Sequence, residues 1–285
     1  MRRSSSLREQ LDADALIVAP GVYDGITARL AEQAGFSALY MSGAMVSNSL
    51  GYPDYGLLTM TEMVERAGVI ARASSVPVIS DADTGYGNEL NVTRTVREFE
   101  QRGAAGIHIE DQVSPKRCGH FDGKDVIGKE EFVSKIKAAV RAREDPGFVI
   151  IARTDALAVN GLNDAIERVN AALAVGADVA FVEGPRTMEE VEAVPQRVKG
   201  PCLLNIVQGG RTPVFDLNQV EQLGYRLAIV PGASLLPALL AMDTSLKELR
   251  QTRLVTPPPA GLDVRQISNR LGADQWNMVR KGLLT

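Results

Sequence analysis

The chain has 285 residues, which is long for an ordinary domain and normal for one α/β barrel. With 45% hydrophobic and 23% charged residues it has material for a large core, and its composition is not that of a disordered chain. A formal net charge of -4 and a pI near 5.4 offer no basic face, which argues against nucleic acid as a partner.

The opening MRRSSSLREQLDADALIV carries arginines, but no apolar run follows them, so it does not read as a signal peptide. No stretch approaches the roughly 18 apolar residues of a membrane span. From about residue 15 to about residue 250 the chain alternates short apolar runs with amphipathic stretches. The predicted strands are Ala15–Ala19, Ala38–Met41, Val76–Ser80, Gly106–Ile109, Val149–Ala152, Val179–Val182, Cys202–Asn205 and Leu227–Val230. Each is rich in aliphatic residues and lacks a polar face, as in a parallel sheet buried on both sides. The helices read as Gly25–Gln33, Thr61–Ala73, Leu90–Arg102, Lys129–Arg143, Asn163–Val175, Met188–Val194, Leu217–Leu223 and Ser234–Leu249. Several stop at a glycine, as at Gly35, Gly103, Gly176 and Gly224, which suits a left-handed cap. Eight strands alternating with eight helices point to a single (β/α)8 TIM-type barrel; a doubly wound open sheet is the alternative. Thr256-Pro257-Pro258-Pro259 breaks the last helix, and Asp263–Leu284 reads as an amphipathic helical tail, so residues 251–285 form an extension suited to contact between subunits.

In a barrel the chemistry sits at the C-terminal ends of the strands. There the chain places Tyr40, Asp81, Asp83, His108, Glu110, Asp111, Arg153, Asp155, Glu183 and Asn205. The six acids on one rim would repel each other unless a hard divalent cation joined them. Mg2+ takes oxygen ligands, uses one or two carboxylates directly and keeps several waters. Singly, each acid could instead cap the helix behind it.

The loop after the fourth strand reads Ser114-Pro115-Lys116-Arg117-Cys118-Gly119-His120. Cations around Cys118 are expected to favour its thiolate, and Gly119 and Gly123 to allow a mobile loop. The other cysteine, Cys202, lies in an apolar strand and reads as core. Two cysteines placed this way form no disulfide scaffold and no metal pair, so a reducing cytoplasm is the expected location. Both histidines of the chain, His108 and His120, fall in this same region.

At this point the residues resemble a family. Lys116-Arg117-Cys118-Gly119-His120 resembles the signature of isocitrate lyase and 2-methylisocitrate lyase, in the isocitrate lyase and phosphoenolpyruvate mutase superfamily. Ser42-Gly43, Gly51-Tyr52-Pro53-Asp54, the run Asp81–Gly87, His108–Gln112 and Ala152–Ala156 follow in the family's order, over roughly residues 10–245. The resemblance implies a TIM barrel in which Asp81 binds Mg2+ directly, with Mn2+ as a substitute, and Asp54, Asp83, His108 and Glu110 hold its waters. It implies that Ser42, Gly43, Ala44 and Arg153 bind the substrate carboxylate, with Glu183, Asn205 and Arg211 as further substrate contacts. Tyr40 would sit by the 2-oxygen, Cys118 would be the proton donor, and Lys116 and His120 would assist it. It also implies a homotetramer that exchanges a C-terminal helix.

The match departs from the tricarboxylate enzymes at one place. Where 2-methylisocitrate lyases carry an arginine beyond strand eight, this chain reads Gly232-Ala233-Ser234-Leu235-Leu236-Pro237. A buried third carboxylate would have no partner there. The run Asn205–Pro213, with Arg211, is more similar to the branch of 2,3-dimethylmalate lyase, oxaloacetate hydrolase, the petal death protein and carboxyphosphonoenolpyruvate phosphonomutase-like proteins. The expected activity is therefore C–C cleavage of a substituted malate to pyruvate or another short 2-oxo acid. Oxaloacetate hydrolysis or decarboxylation, or phosphonate P–C chemistry, is the enzymatic alternative. A catalytically silent assembly protein would have lost part of the metal shell, and all of that shell is present.

Overall fold

The computed structural model describes residues 3–121, 123–213, 216–259 and 262–283. Eight parallel strands close in chain order: β1 (Ile17–Val22), β2 (Leu39–Met41), β3 (Val78–Asp81), β4 (Gly106–Glu110), β5 (Val149–Thr154), β6 (Val179–Val182), β7 (Cys202–Asn205) and β8 (Leu227–Val230). β8 pairs back onto β1, with Ile17 beside Leu227 and Pro20 beside Val230. The sheet has no edge, and this excludes the open-sheet alternative. The barrel is preceded by α1 (Arg3–Asp12), and between its strands lie α2 (Gly25–Gln33), α3 (Gly43–Ser49), α4 (Met60–Ala73), α5 (Glu89–Gln101), α6 (Lys129–Ala142), α7 (Ala156–Val159), α8 (Leu162–Ala174), α9 (Met188–Arg197) and α10 (Leu217–Gln222).

Side chains alternate across each strand, so every second residue fills the barrel and the rest pack against helices. Outward residues such as Met41, Val78, Ile107, Ile109 and Ile150 join one helix-covered core. Inward residues form a separate cluster that includes Ile17, Tyr40, Ile79, Ile151, Phe181, Leu203 and Leu227. Two residues beyond these inward positions, the same face turns polar: Ile79 is followed by Asp81, Ile151 by Arg153, Phe181 by Glu183 and Leu203 by Asn205. The barrel is thus filled with hydrocarbon below and with charge at its mouth.

Several elements differ from the sequence reading. β1 is displaced to Ile17–Val22, because Pro20-Gly21 continue the strand rather than turn it. α1, α3 and α7 were not expected. In α1, Leu7 is fully buried and joins the inward cluster together with Ile17, Val149, Val179 and Leu227, the first residues of their strands, so this helix closes the bottom of the barrel. The glycine stops hold: Gly35 and Gly103 take φ of 94° and 91°.

A second compact unit spans Leu236–Thr285. It comprises most of α11 (Leu235–Thr252), then α12 (Val264–Arg270) and α13 (Ala273–Arg280). The tail is helical as expected, although Leu284, its predicted end, lies outside the described residues. No helix among the described residues is long and apolar enough to cross a membrane.

Candidate active site

Strand register brings the acids together. Asp81 is the partner of His108 across β3 and β4, and Glu110 is the partner of Arg153 across β4 and β5. The chain leaving β2 turns at once into α3, capped by the Ser42 hydroxyl, and Gly43 N donates to Asp81 Oδ2 at 3.2 Å. A Cβ at position 43 would stand 2.6 Å from that oxygen, so only glycine allows this approach. Ala44 follows, half-buried, on the same turn. Asp83 N donates to Asp81 Oδ1 at 3.0 Å from a backbone with φ of 45°, a strained conformation for a non-glycine residue and of a kind that collects at functional sites.

Burial would raise the Asp81 carboxyl, but His108, Lys116 and Arg153 outweigh it and hold the group at about 2. His108 Nε2 lies 3.6 Å from Asp81 Oδ1 and 2.9 Å from Tyr40 Oη. Burial lowers its pKa to about 4, so the ring is neutral at pH 7. Lys116 Nζ contacts Asp54 Oδ1 at 2.5 Å and Asp83 Oδ1 at 3.0 Å.

Among the described residues, no three His, Cys, Asp or Glu side chains converge closely enough to bind one ion directly. One direct carboxylate with a shell of water-holding groups is a different arrangement, and the residues present fit it. Glu110 is wholly buried, and its Oε1 has no hydrogen-bond partner. Burial, only partly offset by Arg153, pushes its carboxyl well above the usual range. Burial likewise raises Asp83 to about 6 against the pull of Lys116. Buried acids that are costly to ionise, one with an unused oxygen, suit a hydrated hard cation.

Arg153 is the hub of the other half. Its Nε lies 3.0 Å from Asp155 Oδ2 and 3.1 Å from Glu110 Oε2, and its Nη2 lies 3.9 Å from Glu183 Oε1. Asn205 Nδ2 donates to both Glu183 oxygens at 3.1 Å, and His120 Nε2 stands 3.2 Å from Glu183 Oε1. These partners overcome the burial of Glu183 and keep its carboxyl well below the usual range. His120 Nδ1 accepts from Arg211 N at 3.1 Å, so a neutral ring carries its proton on Nε2, toward Glu183. Arg211 thus reaches the site through its backbone.

Two of the six rim acids are taken up by neighbouring cations and backbone. Asp111 accepts from Thr154 Oγ1 at 2.6 Å, Asp155 N at 2.8 Å and Arg168 Nη1 at 3.1 Å. Asp155 is held by Arg153 and by Lys124, whose Nζ donates to Asp155 Oδ1 at 2.7 Å and to the Gly119 carbonyl. They brace the floor of the site. Lys124 gave no signal in the sequence, where a lysine after a glycine loop looks like surface.

The cysteine segment corrects one expectation. The Cys118 thiol is pushed up to about 11, by burial first and then by Asp54, so it is a thiol and not a thiolate. Its cationic neighbour Lys116 is already paired with carboxylates, so the sequence neighbourhood overstates the positive field. The segment is also anchored. Gln112 exchanges hydrogen bonds with Arg117 N and O at 2.9 and 2.8 Å, and Cys118 N donates to Asp54 O at 3.2 Å. Space also requires Gly119: a Cβ there would lie 2.5 Å from Glu183 Oε1 and 2.6 Å from Arg153 Nη2. Cys202 is buried in β7, as read.

A cavity of about 340 Å3 opens beside Asp83 and Lys116, with Gly56, Thr59, Thr84 and Tyr86 in its walls. A larger one, about 520 Å3, lies between Arg3, Glu100, Asp145 and Phe148 on the α1 side. Of the strand-end acids Asp83 lines the first, which therefore borders the mouth where chemistry in this fold belongs, and none lines the second.

Comparison with known proteins gives the family. A family profile described as Phosphoenolpyruvate phosphomutase matches residues 7–250. The chain is 49% identical over 243 residues to 2,3-dimethylmalate lyase of Eubacterium barkeri, covering 85% of this chain and 84% of that one. It superimposes on oxaloacetate acetylhydrolase in complex with 3,3-difluorooxalacetate with a TM-score of 0.93 at 39% identity, covering 98% of this chain and 96% of the other. Phosphonopyruvate hydrolase, solved in a complex with oxalate and Mg++, matches at a TM-score of 0.90 and 31% identity over 100% of both chains. The chain belongs to the phosphoenolpyruvate phosphomutase family, within the isocitrate lyase/PEP mutase superfamily, and stands among that superfamily's lyases.

Proposed function

We propose that this chain is a Mg2+-dependent carbon–carbon lyase that cleaves a substituted malate-type 2-hydroxy acid into pyruvate, or another short 2-oxo acid, and a carboxylate. The observation that carries the reading is the Cys118 thiol, half-buried and protonated on a segment packed against Glu183 and Arg153. The 2-hydroxyl proton passes through Tyr40 Oη to Nε2 of the neutral His108 as the C2–C3 bond breaks, so the O–H pair becomes the C2=O π bond and the C2–C3 pair stays on C3 as a carbanion, conjugated with its own carboxylate. Cys118 Sγ–H supplies the proton that this carbon needs.

The other residues bind and orient. Arg153 pairs with the carboxylate next to the 2-oxygen, helped by backbone donors at Ser42, Gly43 and Ala44. Tyr40, hydrogen-bonded to His108, borders the 2-oxygen. Glu183, Asn205, His120 and Arg211 form the wall facing the departing half, and Lys116 holds Asp54 and Asp83. Asp81 would bind Mg2+, or Mn2+ in its place, with Asp54, Asp83, His108 and Glu110 holding its waters. When bound, the ion supplies Lewis-acid stabilisation of negative charge on the 2-oxygen. Release of pyruvate from 2,3-dimethylmalate that disappears in Cys118→Ala, with the fold intact, tests the reading.

Oxaloacetate hydrolysis is the second reading, favoured by the likeness to oxaloacetate acetylhydrolase. It predicts oxalate release from oxaloacetate and no turnover of dialkylmalates.

We also infer a cytoplasmic homotetramer in which the tail, from residue 251, is exchanged between subunits. In support, only Leu235 of α11 is buried, while Leu239, Met242, Leu246 and Leu249 are exposed at the 3,4-residue spacing of a helix-packing seam. Sedimentation of the full chain as a monomer would contradict it.

A further inference from the structure

We propose that Lys124 is the positioning residue that holds Cys118 and His120 over the barrel mouth. The proposal rests on the reading of Cys118 as the acting acid. Lys124 leaves the loop and turns inward until only 2% of its side chain is exposed. A lysine is rarely buried this far unless it is paired, because its charge must be compensated when water is removed.

Its ammonium has two partners of different kinds. One is Asp155 Oδ1 at 2.7 Å, on a carboxylate that is itself wholly buried and whose other oxygen takes Arg153 Nε at 3.0 Å. The backbone N of Asp155 is fixed in turn by Asp111 Oδ1 at 2.8 Å, so this anchor belongs to the rigid barrel. The other partner is the carbonyl of Gly119, between the cysteine and the histidine. One side chain therefore ties the middle of the cysteine segment to the end of β5. Gln112 and Asp54 hold only the residues before Gly119.

The tie also sets a height. Gly119 rests on Arg153 and Glu183 with no room for a Cβ, so with its carbonyl released from Lys124 the peptide between Cys118 and His120 would be free to shift, while Cys118 N stays on Asp54 O and the His120 ring on Glu183 and Arg211 N. Lys124 touches no reacting atom in this scheme and acts through Gly119 and Asp155.

The test is alkylation of the native full chain with iodoacetamide at pH 8, with each cysteine read by mass spectrometry. Cys202, buried in β7, reports global loosening. Loss of charge-assisted hydrogen bonds in Lys124→Met should speed Cys118 labelling by about tenfold or more and leave Cys202 unlabelled. Lys124→Arg, which keeps the charge and can span both acceptors, should stay near the wild-type rate. With an active substrate in hand, Lys124→Met should lower kcat far more than it raises KM, and adding Cys118→Ala should cost little more. Labelling of Cys118 at the wild-type rate in folded Lys124→Met, or equal labelling of Cys118 and Cys202, would overturn the proposal. If Lys124→Met does not fold, the arginine variant decides: fast Cys118 labelling counts against a role for the bridging charge, and protection supports it. Because labelling needs no substrate, absence of lyase turnover would count against the reaction and not against this assignment.

Discussion

Glu110 and Arg153 are register partners on β4 and β5, and Arg153 Nε stands 3.1 Å from Glu110 Oε2. Side-by-side positions on parallel strands point the same way, so the pairing follows from the barrel itself. It places a cation between the Asp81–His108 side of the mouth and the Glu183–Asn205–His120 wall. With Asp155 and Glu183 also in reach, three carboxylates balance the buried guanidinium, and their combined field overcomes its desolvation.

Arg153→Met should therefore remove the charge that neutralises Glu110 and Asp155. Breaking a buried pair by deleting one partner costs about 3–5 kcal/mol. Urea unfolding should show a loss of that order, with activity abolished. A loss below about 1 kcal/mol would place Arg153 at a solvated site instead.

Gly119→Ala should act on catalysis more than on stability. The added methyl meets Glu183 and Arg153, so the segment must rise by a fraction of an ångström. A misplacement approaching 1 Å costs up to about 100-fold in rate, whereas overpacking costs about 1–3 kcal/mol. Steady-state kinetics beside a thermal melt separates the two.

The Cys118 thiol predicts a pH profile. Its folded value, about 11, lies above the ordinary 9.0, so the folded state favours the neutral thiol. The sign follows: below pH 9 the group is protonated folded or unfolded, and as pH climbs past 9 the unfolded chain ionises first and stability falls. Activity should show no loss from this group between pH 7 and 9. Iodoacetamide labelling of Cys118 at pH 8 should be about 100-fold slower than for a free thiol, since two pH units separate their ionisation. Rapid labelling at pH 7 would show a thiolate.

The strands were legible because each is buried on both faces and reads as an unbroken apolar run, and the acids because they stand where those runs end. What the sequence hid was long-range pairing. Lys116 and His120 suggest a cationic surrounding for Cys118, yet one faces Asp54 and Asp83 and the other Glu183. Asp111 and Asp155 look like metal ligands by position, but Arg168 and Lys124, 57 and 31 residues away in sequence, claim them. α1 was missed because its apolar signal is two leucines, Leu7 and Leu11, four apart in a polar stretch.

Metal linkage gives a measurement independent of substrate. If Asp81 binds Mg2+, saturating the site at about 100 times Kd stabilises the fold by about 2.7 kcal/mol. For a chain of this size that is a rise of several degrees in Tm, at about 2–4 °C per kcal/mol. Asp81→Asn should abolish the rise, while Asp111→Asn should retain it. An equal rise in Asp81→Asn would put the ion elsewhere.

The most direct test of the central claim is release of 2-oxo acid, or of oxalate from oxaloacetate, followed with Mg2+ and again with EDTA, across 2,3-dimethylmalate, 2-methylisocitrate, isocitrate, oxaloacetate and phosphonopyruvate, with Cys118→Ala run beside the wild type. The account predicts pyruvate from the dialkylmalate, no turnover of the tricarboxylates, and loss of activity both with EDTA and in Cys118→Ala. Turnover confined to oxaloacetate or phosphonopyruvate, and indifferent to Cys118, would contradict it.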